Sequence, residues 1–379
     1  MPEPVIPFNR PLLLEQGVVN IRRAYENRHA SGDGEFTRRC QGYLQQRLGA
    51  GKALLTTSCT DALEMCALLL EIKTGDEVII PAFTFVSTAN AFVLRGARPV
   101  FVDIRSDTLN LDESRLEAAI TPSTKAIVVV HYAGVGCEMD AIMDIATRHC
   151  IPVIEDNAHG LFGAYRGKPL GRFGQLATLS FHETKNLSCG EGGALVINDP
   201  RFNERAEILR EKGTDRTRFF RGEVDKYTWR DVGSSFLPSD ILAALLLAQI
   251  EIVDAIQAKR REIYERYVAS LQPWAASHQV DLPTIPDYCG CSYHMFYLLL
   301  PSAETQRALI QHLRVQGVNA VFHYQPLHLT PMGRQFGGQP GQCPITESVA
   351  ERIVRLPFYY ELTPADQDRV VMAIRSFTF

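Results

Sequence analysis

The run Ser180-Phe181-His182-Glu183-Thr184-Lys185-Asn186 leads into Gly190-Glu191-Gly192-Gly193 and lies between two apolar segments, Leu176 to Phe181 and Ala194 to Ile197. That pattern holds a lysine on a short turn between two strands. An amine fixed there beside close-approaching backbone can be desolvated, which makes it a nucleophile able to form a Schiff base. Most lysines on turns are solvated surface charges, so Lys185 acquires meaning only through companions. Asp156 is the first of these. It closes the apolar segment Ile151-Pro152-Val153-Ile154-Glu155-Asp156. A buried carboxylate beside a pyridine nitrogen favours the protonated ring, the state in which pyridoxal phosphate works as an electron sink. The second companion is Cys59-Thr60, at the start of a helical stretch, where free backbone amides, a hydroxyl and the positive end of a dipole suit a phosphate. The dipole alone contributes about 0.3 to 1 kcal/mol, and either site read singly is an ordinary strand end or helix cap.

The elements that would position these groups alternate along the chain. Glu77 to Pro81, Pro99 to Asp103, Ala126 to His131, Ile151 to Asp156 and Leu176 to Phe181 read as buried strands. Helices are expected at Glu113 to Ile120 and Met139 to His149. Strands that are apolar throughout and separated by helices indicate a mainly parallel sheet covered on both faces. In such sheets a ligand sits beyond the carboxyl ends of the strands, where His131, Asp156 and the Lys185 turn fall. Upstream, an extended arm at Val5 to Pro11 precedes a helix at Val18 to His29, the glycine-rich turn Ser31 to Thr37, an amphipathic helix to Leu48, and a well-capped helix start between Leu54 and Leu70. Downstream, Asn203 to Glu211 reads as helix, Lys212 to Trp229 as a long loop, and Pro238 to Tyr267 as one long helix. After Pro273 the pattern becomes an α+β mixture. The expected fold class is α/β, with a large cofactor-binding domain with its N-terminal arm at 1–250 and a smaller α+β domain at 251–379.

Composition narrows the function. A chain of 379 residues with 46% hydrophobic content can bury a large core. A formal net charge of -4 with well-mixed charges gives no basic stripe, so nucleic acid is not an expected partner. The most apolar helical stretch, Ile241 to Ile256, is interrupted by Gln249, Glu251 and Asp254, which argues against a membrane span. Met1 to Leu14 carries four prolines and no apolar core of a signal peptide. Nine scattered cysteines fit reduced thiols in a cytoplasmic protein. The close pair Cys289 and Cys291 lacks the partners of a zinc site, and no metal is expected.

Four segments, Thr57-Ser58-Cys59-Thr60, Pro81-Ala82-Phe83-Thr84-Phe85, Glu155-Asp156-Asn157-Ala158-His159 and Ser180 to Asn186, together resemble the pyridoxal-phosphate sugar aminotransferases of the DegT/DnrJ/EryC1/StrS family. The resemblance covers nearly the whole chain. Longer runs make it more specific: Gly32-Asp33-Gly34 through Cys40, Phe219-Phe220-Arg221-Gly222, and Val224 to Asp231. It implies aminotransferase fold type I, with Lys185 as the Schiff-base lysine and Asp156 paired with the ring nitrogen. It also implies that Ser180, Thr60 and the Cys59 amide hold the phosphate, that Phe85 stacks on the ring, and that His159 bonds its phenolic oxygen. Ser235 stands where a neighbouring subunit of the family sends a polar side chain toward the phosphate, which implies a homodimer with shared active sites. His328 matches a position near the sugar nucleotide.

The family resemblance further implies an amino group moved from L-glutamate to C4 of dTDP-4-keto-6-deoxy-D-glucose. Within the family, the runs are nearest to members whose product is dTDP-4-amino-4,6-dideoxy-D-galactose. Three alternatives stand beside this. The product could be the gluco C4 epimer. A related dehydratase would carry histidine in place of Lys185. A protein of another class would bind the cofactor or sugar nucleotide without turning it over.

Overall fold

Seven strands form one sheet because each offers a short run of apolar residues that water cannot solvate on either face. They are β1 (Lys52–Thr56), β2 (Glu77–Pro81), β3 (Arg98–Val102), β4 (Thr124–Val130), β5 (Val153–Asp156), β6 (Leu176–Ser180) and β7 (Gly193–Ile197). Their spatial order is β1-β7-β6-β5-β4-β2-β3. The pairs β2 with β3, β2 with β4, β4 with β5 and β5 with β6 are parallel, while β7 runs antiparallel to both β6 and β1. Every residue of β5 and β7 is buried, as a sheet covered on both faces requires. The computed structural model describes residues 4–378; Met1 to Glu3 and Phe379 lie outside the described residues.

Alternation along the strands divides the covering helices between the two faces. Leu54, Leu195 and Ile197 pack toward α3 (Cys59–Leu69) and α4 (Val86–Val93), whereas Ala53, Leu55, Ala194 and Val196 pack toward α2 (Glu35–Leu48) and α8 (Asp240–Ile250). The helices α1 (Glu15–Glu26), α5 (Met139–Arg148), α6 (Asn203–Arg210) and α7 (Arg216–Phe220) complete this half. The run Gly32-Asp33-Gly34 has a structural task here. A Cβ on Gly34 would lie 2.2 Å from Asp240 Oδ2, and the bare glycine lets that buried carboxylate accept bonds from the Thr37 amide and hydroxyl, each 2.7 Å long.

A second core forms around α9 (Val253–Ser277), α10 (Ala303–Val315) and α13 (Pro364–Arg375), with the strand pair β8 (Tyr297–Leu299) and β9 (Ile353–Arg355). Two short helices, α11 (Pro331–Gln335) and α12 (Pro344–Arg352), lie between them. The N-terminal arm belongs to this core as much as to the first, because Ile6 is buried in it and bridges Val318. Phe83, Ile104 and Tyr132, each just past the end of β2, β3 or β4, form a joining cluster with Met295, Tyr297, Leu299, Val349 and Ile353.

The structure corrects several local expectations. Lys52–Thr56 is a strand, hidden in the sequence because its apolar residues run directly into the helix cap at Ser58. The first helix spans Glu15–Glu26. The segment 113–120 is two single 3-10 turns instead of a helix. The expected long loop after Lys212 contains α7. The single long helix is two, α8 and α9, bent by 63° where Ile252 leaves helical backbone with φ -117° and ψ 20°. Hydrophobic periodicity continues across such a bend and cannot reveal it. Pro273 sits inside α9, which continues to Ser277. No single helix among the described residues is long and apolar enough to cross a membrane.

Asp103, just past β3, ties the two cores together. Its buried carboxylate accepts from the Ile345 amide at 3.0 Å and from the Thr346 amide and hydroxyl at 2.8 Å, capping α12. Replacing it leaves buried donors with no acceptor. Asp103→Ala is expected to lower the unfolding free energy by about 2 to 3 kcal/mol, and a denaturant titration that moves by less than experimental scatter refutes this tie.

Candidate active site

The residues of the four motifs meet at the carboxyl ends of the parallel strands, in a cavity of about 850 Å³. Asp156 ends β5 and Ser180 ends the neighbouring strand β6. Lys185 lies on the connection from β6 to β7, in a turn closed by its own amide donating to the His182 carbonyl at 2.9 Å. Two helices open toward this space. Ser58 caps α3 by accepting from the Asp61 amide at 3.0 Å, and Phe85 precedes α4. The hydroxyls of Thr60 and Ser87 lie 2.8 Å apart and bring the two helix starts together. The first amides of each helix have no intrahelical acceptor, so the cavity faces two positive dipole ends. The approach is close: a Cβ on Gly193 would fall 2.4 Å from the Cys59 nitrogen.

Burial tunes the charged pair. It pulls the Lys185 amine down from 10.5 to about 8, against the opposing influence of Cys59 and Asp156. Burial pushes the Asp156 carboxyl up, opposed by bonds donated from the Thr88 hydroxyl at 2.7 Å and the Ala158 amide at 3.2 Å and by the Lys185 charge. Thr88 was not foreseen. It reaches Asp156 from α4, and no local signal marks a threonine inside a helix as the partner of a carboxylate 68 residues away.

His159 stacks on His294, centroids 4.2 Å apart and planes at 17°. Burial drives both imidazoles well below the usual histidine range, so both are neutral. His294 donates from Nδ1 to Asn186 Oδ1 at 2.9 Å, which ties this stack to the residue after Lys185. His323 stacks on Tyr324 at 3.6 Å and accepts from the Tyr132 hydroxyl at 2.6 Å. His294, His323, Tyr324, Phe8 and Arg355 line the cavity with the expected residues, yet all come from the arm or the C-terminal half. The sequence segment Tyr324-Gln325-Pro326 was legible, but it pointed to His328 instead.

The expected residues do not all converge. Cys59, Thr60, Phe85, Asp156, His159, Ser180 and Lys185 line the cavity. His328 does not. It is fully buried behind the lining, with Nε2 3.0 Å from Glu347 Oε1 and its ring beside Phe101. Ser235 lies in a second cavity of about 800 Å³, with Asp33, Arg210 and Arg221. Phe85 is 56% exposed, and among the described residues its one ring neighbour is Tyr324, at 6.3 Å.

The cavity fits a planar, phosphorylated aldehyde such as pyridoxal phosphate. Its volume is in the range of small-molecule sites. The buried Nδ1 of His159 has no partner among the described residues, an orphan that a bound acceptor or donor would satisfy. The helix starts suit the phosphate, and Asp156 suits a ring nitrogen.

Comparison with known proteins gives concordant results. The spore coat polysaccharide biosynthesis protein SpsC of Bacillus subtilis is 32% identical over 378 residues, covering 98% of this chain and 96% of its own. The aminotransferase TlmJ from Streptoalloteichus hindustanus superposes with a TM-score of 0.90 at 29% identity, covering 98% of both chains. Spr1654 from Streptococcus pneumoniae, assigned as a sugar aminotransferase and solved in its PLP form, gives 0.90 at 26% identity over 98% of both. Residues 15–375 match a single family from one end to the other. The chain belongs to the DegT/DnrJ/EryC1/StrS aminotransferase family.

Proposed function

We propose that this chain is a pyridoxal-phosphate-dependent sugar aminotransferase that moves the amino group of L-glutamate to C4 of dTDP-4-keto-6-deoxy-D-glucose, giving dTDP-4-amino-4,6-dideoxy-D-galactose. One observation carries the aminotransferase reading. A lysine amine lowered to about 8 shares a cavity with a buried carboxylate and two helix N-termini, the set of groups a phosphorylated aldehyde cofactor needs. The Bacillus relative named for polysaccharide biosynthesis supports a sugar acceptor. The nucleotide, the 6-deoxy sugar and the galacto configuration rest on the long shared runs around Phe219 and Val224 to Asp231.

When bound, pyridoxal phosphate supplies an electron sink that makes a carbon beside an amine acidic. The protein's own groups do the rest. Cys59 and Thr60 amides, the Thr60 hydroxyl and Ser180 hold the phosphate. Asp156, oriented by Thr88, faces the ring nitrogen and favours its protonated state. His159, neutral and braced by His294, offers Nδ1 to the ring's phenolic oxygen. Lys185 Nζ is the general base and acid. It takes the proton from the donor's α-carbon and, in the reverse sense, delivers one to C4 of the sugar. The face from which Nζ delivers that proton fixes the C4 configuration.

Ser235 cannot serve this chain's own Lys185 cavity from its place in the second one. We assign it to the phosphate of a second copy, in a homodimer. The exposed aromatic residues Phe220, Tyr227 and Trp229, which precede it, accord with a surface that a second copy covers. The partition into units at 1–250 and 251–379, near the bend between α8 and α9, is likewise our assignment.

Three outcomes test this reading. Adding L-glutamate to the cofactor-loaded protein should shift the cofactor's absorption band, and dTDP-4-keto-6-deoxyglucose should restore it. Proton couplings of the product then report the C4 configuration, and a gluco coupling pattern would correct the product assigned. Asp156→Asn preserves shape but not charge, and turnover should fall by about 10² to 10³-fold; wild-type turnover would remove Asp156 from the mechanism. In cofactor-free protein, the folded chain binds the Lys185 proton more weakly than the unfolded chain. The cost of burying that charge is therefore full below pH about 8 and fades as pH rises toward 10.5. Lys185→Met should stabilise the cofactor-free protein at pH 7, with the gain disappearing across that window in thermal melts; a gain independent of pH contradicts the assigned burial.

A further inference from the structure

One cation in the cavity is left unexplained by these roles. Arg355 closes β9, and its backbone is held on both sides by Val321, with amide-to-carbonyl distances of 2.7 and 3.1 Å. Its side chain lines the Lys185 cavity. Among the described residues the guanidinium forms no ion pair and donates no hydrogen bond, and its Nε is buried without a partner. Its one fixed contact is the ring of Phe8, whose centroid lies 4.7 Å from Cζ. A desolvated cation with five unused donors is costly to keep, and a planar fork matches a carboxylate in bidentate fashion.

Among the described residues no carboxylate pairs with it. Burial holds His159, His294 and His323 neutral, and the Tyr132 and Tyr324 hydroxyls are pushed up and stay protonated. Burial also lowers Arg355 itself, though a guanidinium stays charged. Its field reaches inward as well. Arg355 contributes to lowering the Lys185 amine and the three imidazoles. The guanidinium and the reacting amine line the same cavity, the guanidinium on the side built by the C-terminal half.

We propose that Arg355, seated on Phe8 of the N-terminal arm, is the subsite for the α-carboxylate of the amino donor. The inference rests on the transaminase reading and names how that site selects an amino acid. An α-carboxylate is one bond from the carbon that carries the amine, so a cation close to Lys185 meets it. The diphosphate of a nucleotide sugar is separated from C4 by the width of the sugar ring, too far for the same cation to serve both. Phe8 is held in turn, its carbonyl accepting from the Phe358 amide at 3.3 Å, while Asn9 next to it donates to the Glu183 carbonyl at 3.2 Å. The arm thus holds the ring against which the fork rests.

Two measurements on full-length protein test the subsite. The first follows each half-reaction separately by absorption, L-glutamate with pyridoxal-phosphate protein and the keto sugar with pyridoxamine-phosphate protein. The second is calorimetric binding of 2-oxoglutarate, which needs no turnover. Arg355→Gln should weaken both L-glutamate use and 2-oxoglutarate binding by about 100-fold, with the sugar half-reaction changed by less than about threefold. Arg355→Lys should recover part of the loss, and Phe8→Ala should raise KM for L-glutamate with kcat kept. Arg355→Gln protein that binds 2-oxoglutarate as the wild type does overturns the proposal. So does a loss confined to the sugar half-reaction, which would give the guanidinium to the diphosphate. If the wild type ignores L-glutamate yet binds 2-oxoglutarate only when Arg355 is present, the subsite stands and the transaminase reading falls.

Discussion

The structure depends on keeping one amine and one carboxylate out of water, the carboxylate at the end of one strand and the amine on the turn that follows its neighbour. Each alone is a liability, since burial penalises the charged form of both. Lys185 answers by becoming easy to deprotonate, and Asp156 by collecting bonds from Thr88 and Ala158. Parallel pairing of β5 with β6 sets Asp156 opposite Thr178, the turn after β6 returns Lys185 to the same cavity, and a sheet covered on both faces keeps that edge dry. The helices α2, α3, α4 and α8 can be regarded as the insulation of this pair.

A second buried carboxylate shows what the same sheet does with a charge it does not use. Glu155 precedes Asp156 and points to the opposite face, where it is fully buried. It accepts from the amides of Gly171, Phe173 and Gly174 and sits 2.9 Å from His131 Nε2. Every lone pair is engaged, so Glu155 pins the 171–174 turn under the strand and has nothing left to offer a ligand. Period-two alternation thus gives neighbouring acidic residues opposite fates: one is a rivet, the other remains open to chemistry.

What could be read from the sequence followed the range of the interaction. Six strands and most helices were legible, and seven cavity residues through the four resembling segments, because each depends on a run of a dozen residues or fewer. β1 was missed because a strand of five residues merges with the cap that follows, and the bend at Ile252 because apolar spacing is blind to direction. The C-terminal lining was out of reach for a different reason. His294, His323, Tyr324 and Arg355 enter the cavity only because Asp103 and the Tyr132 cluster dock one core on the other, and no local pattern encodes a docking. His328 shows the converse hazard, since a motif position lay near the right loop while its side chain turned to Glu347.

The N-terminal arm has a consequence for how the chain is made. Ile6 bonds through its backbone to Gly317 and Asn319, and Phe8 to Phe358. The arm is therefore made long before the segments it binds and has to wait for them. Contacts of such long sequence separation delay ordering. A nascent chain consequently cannot complete the walls of the Lys185 cavity until the strand that carries Arg355 has been made.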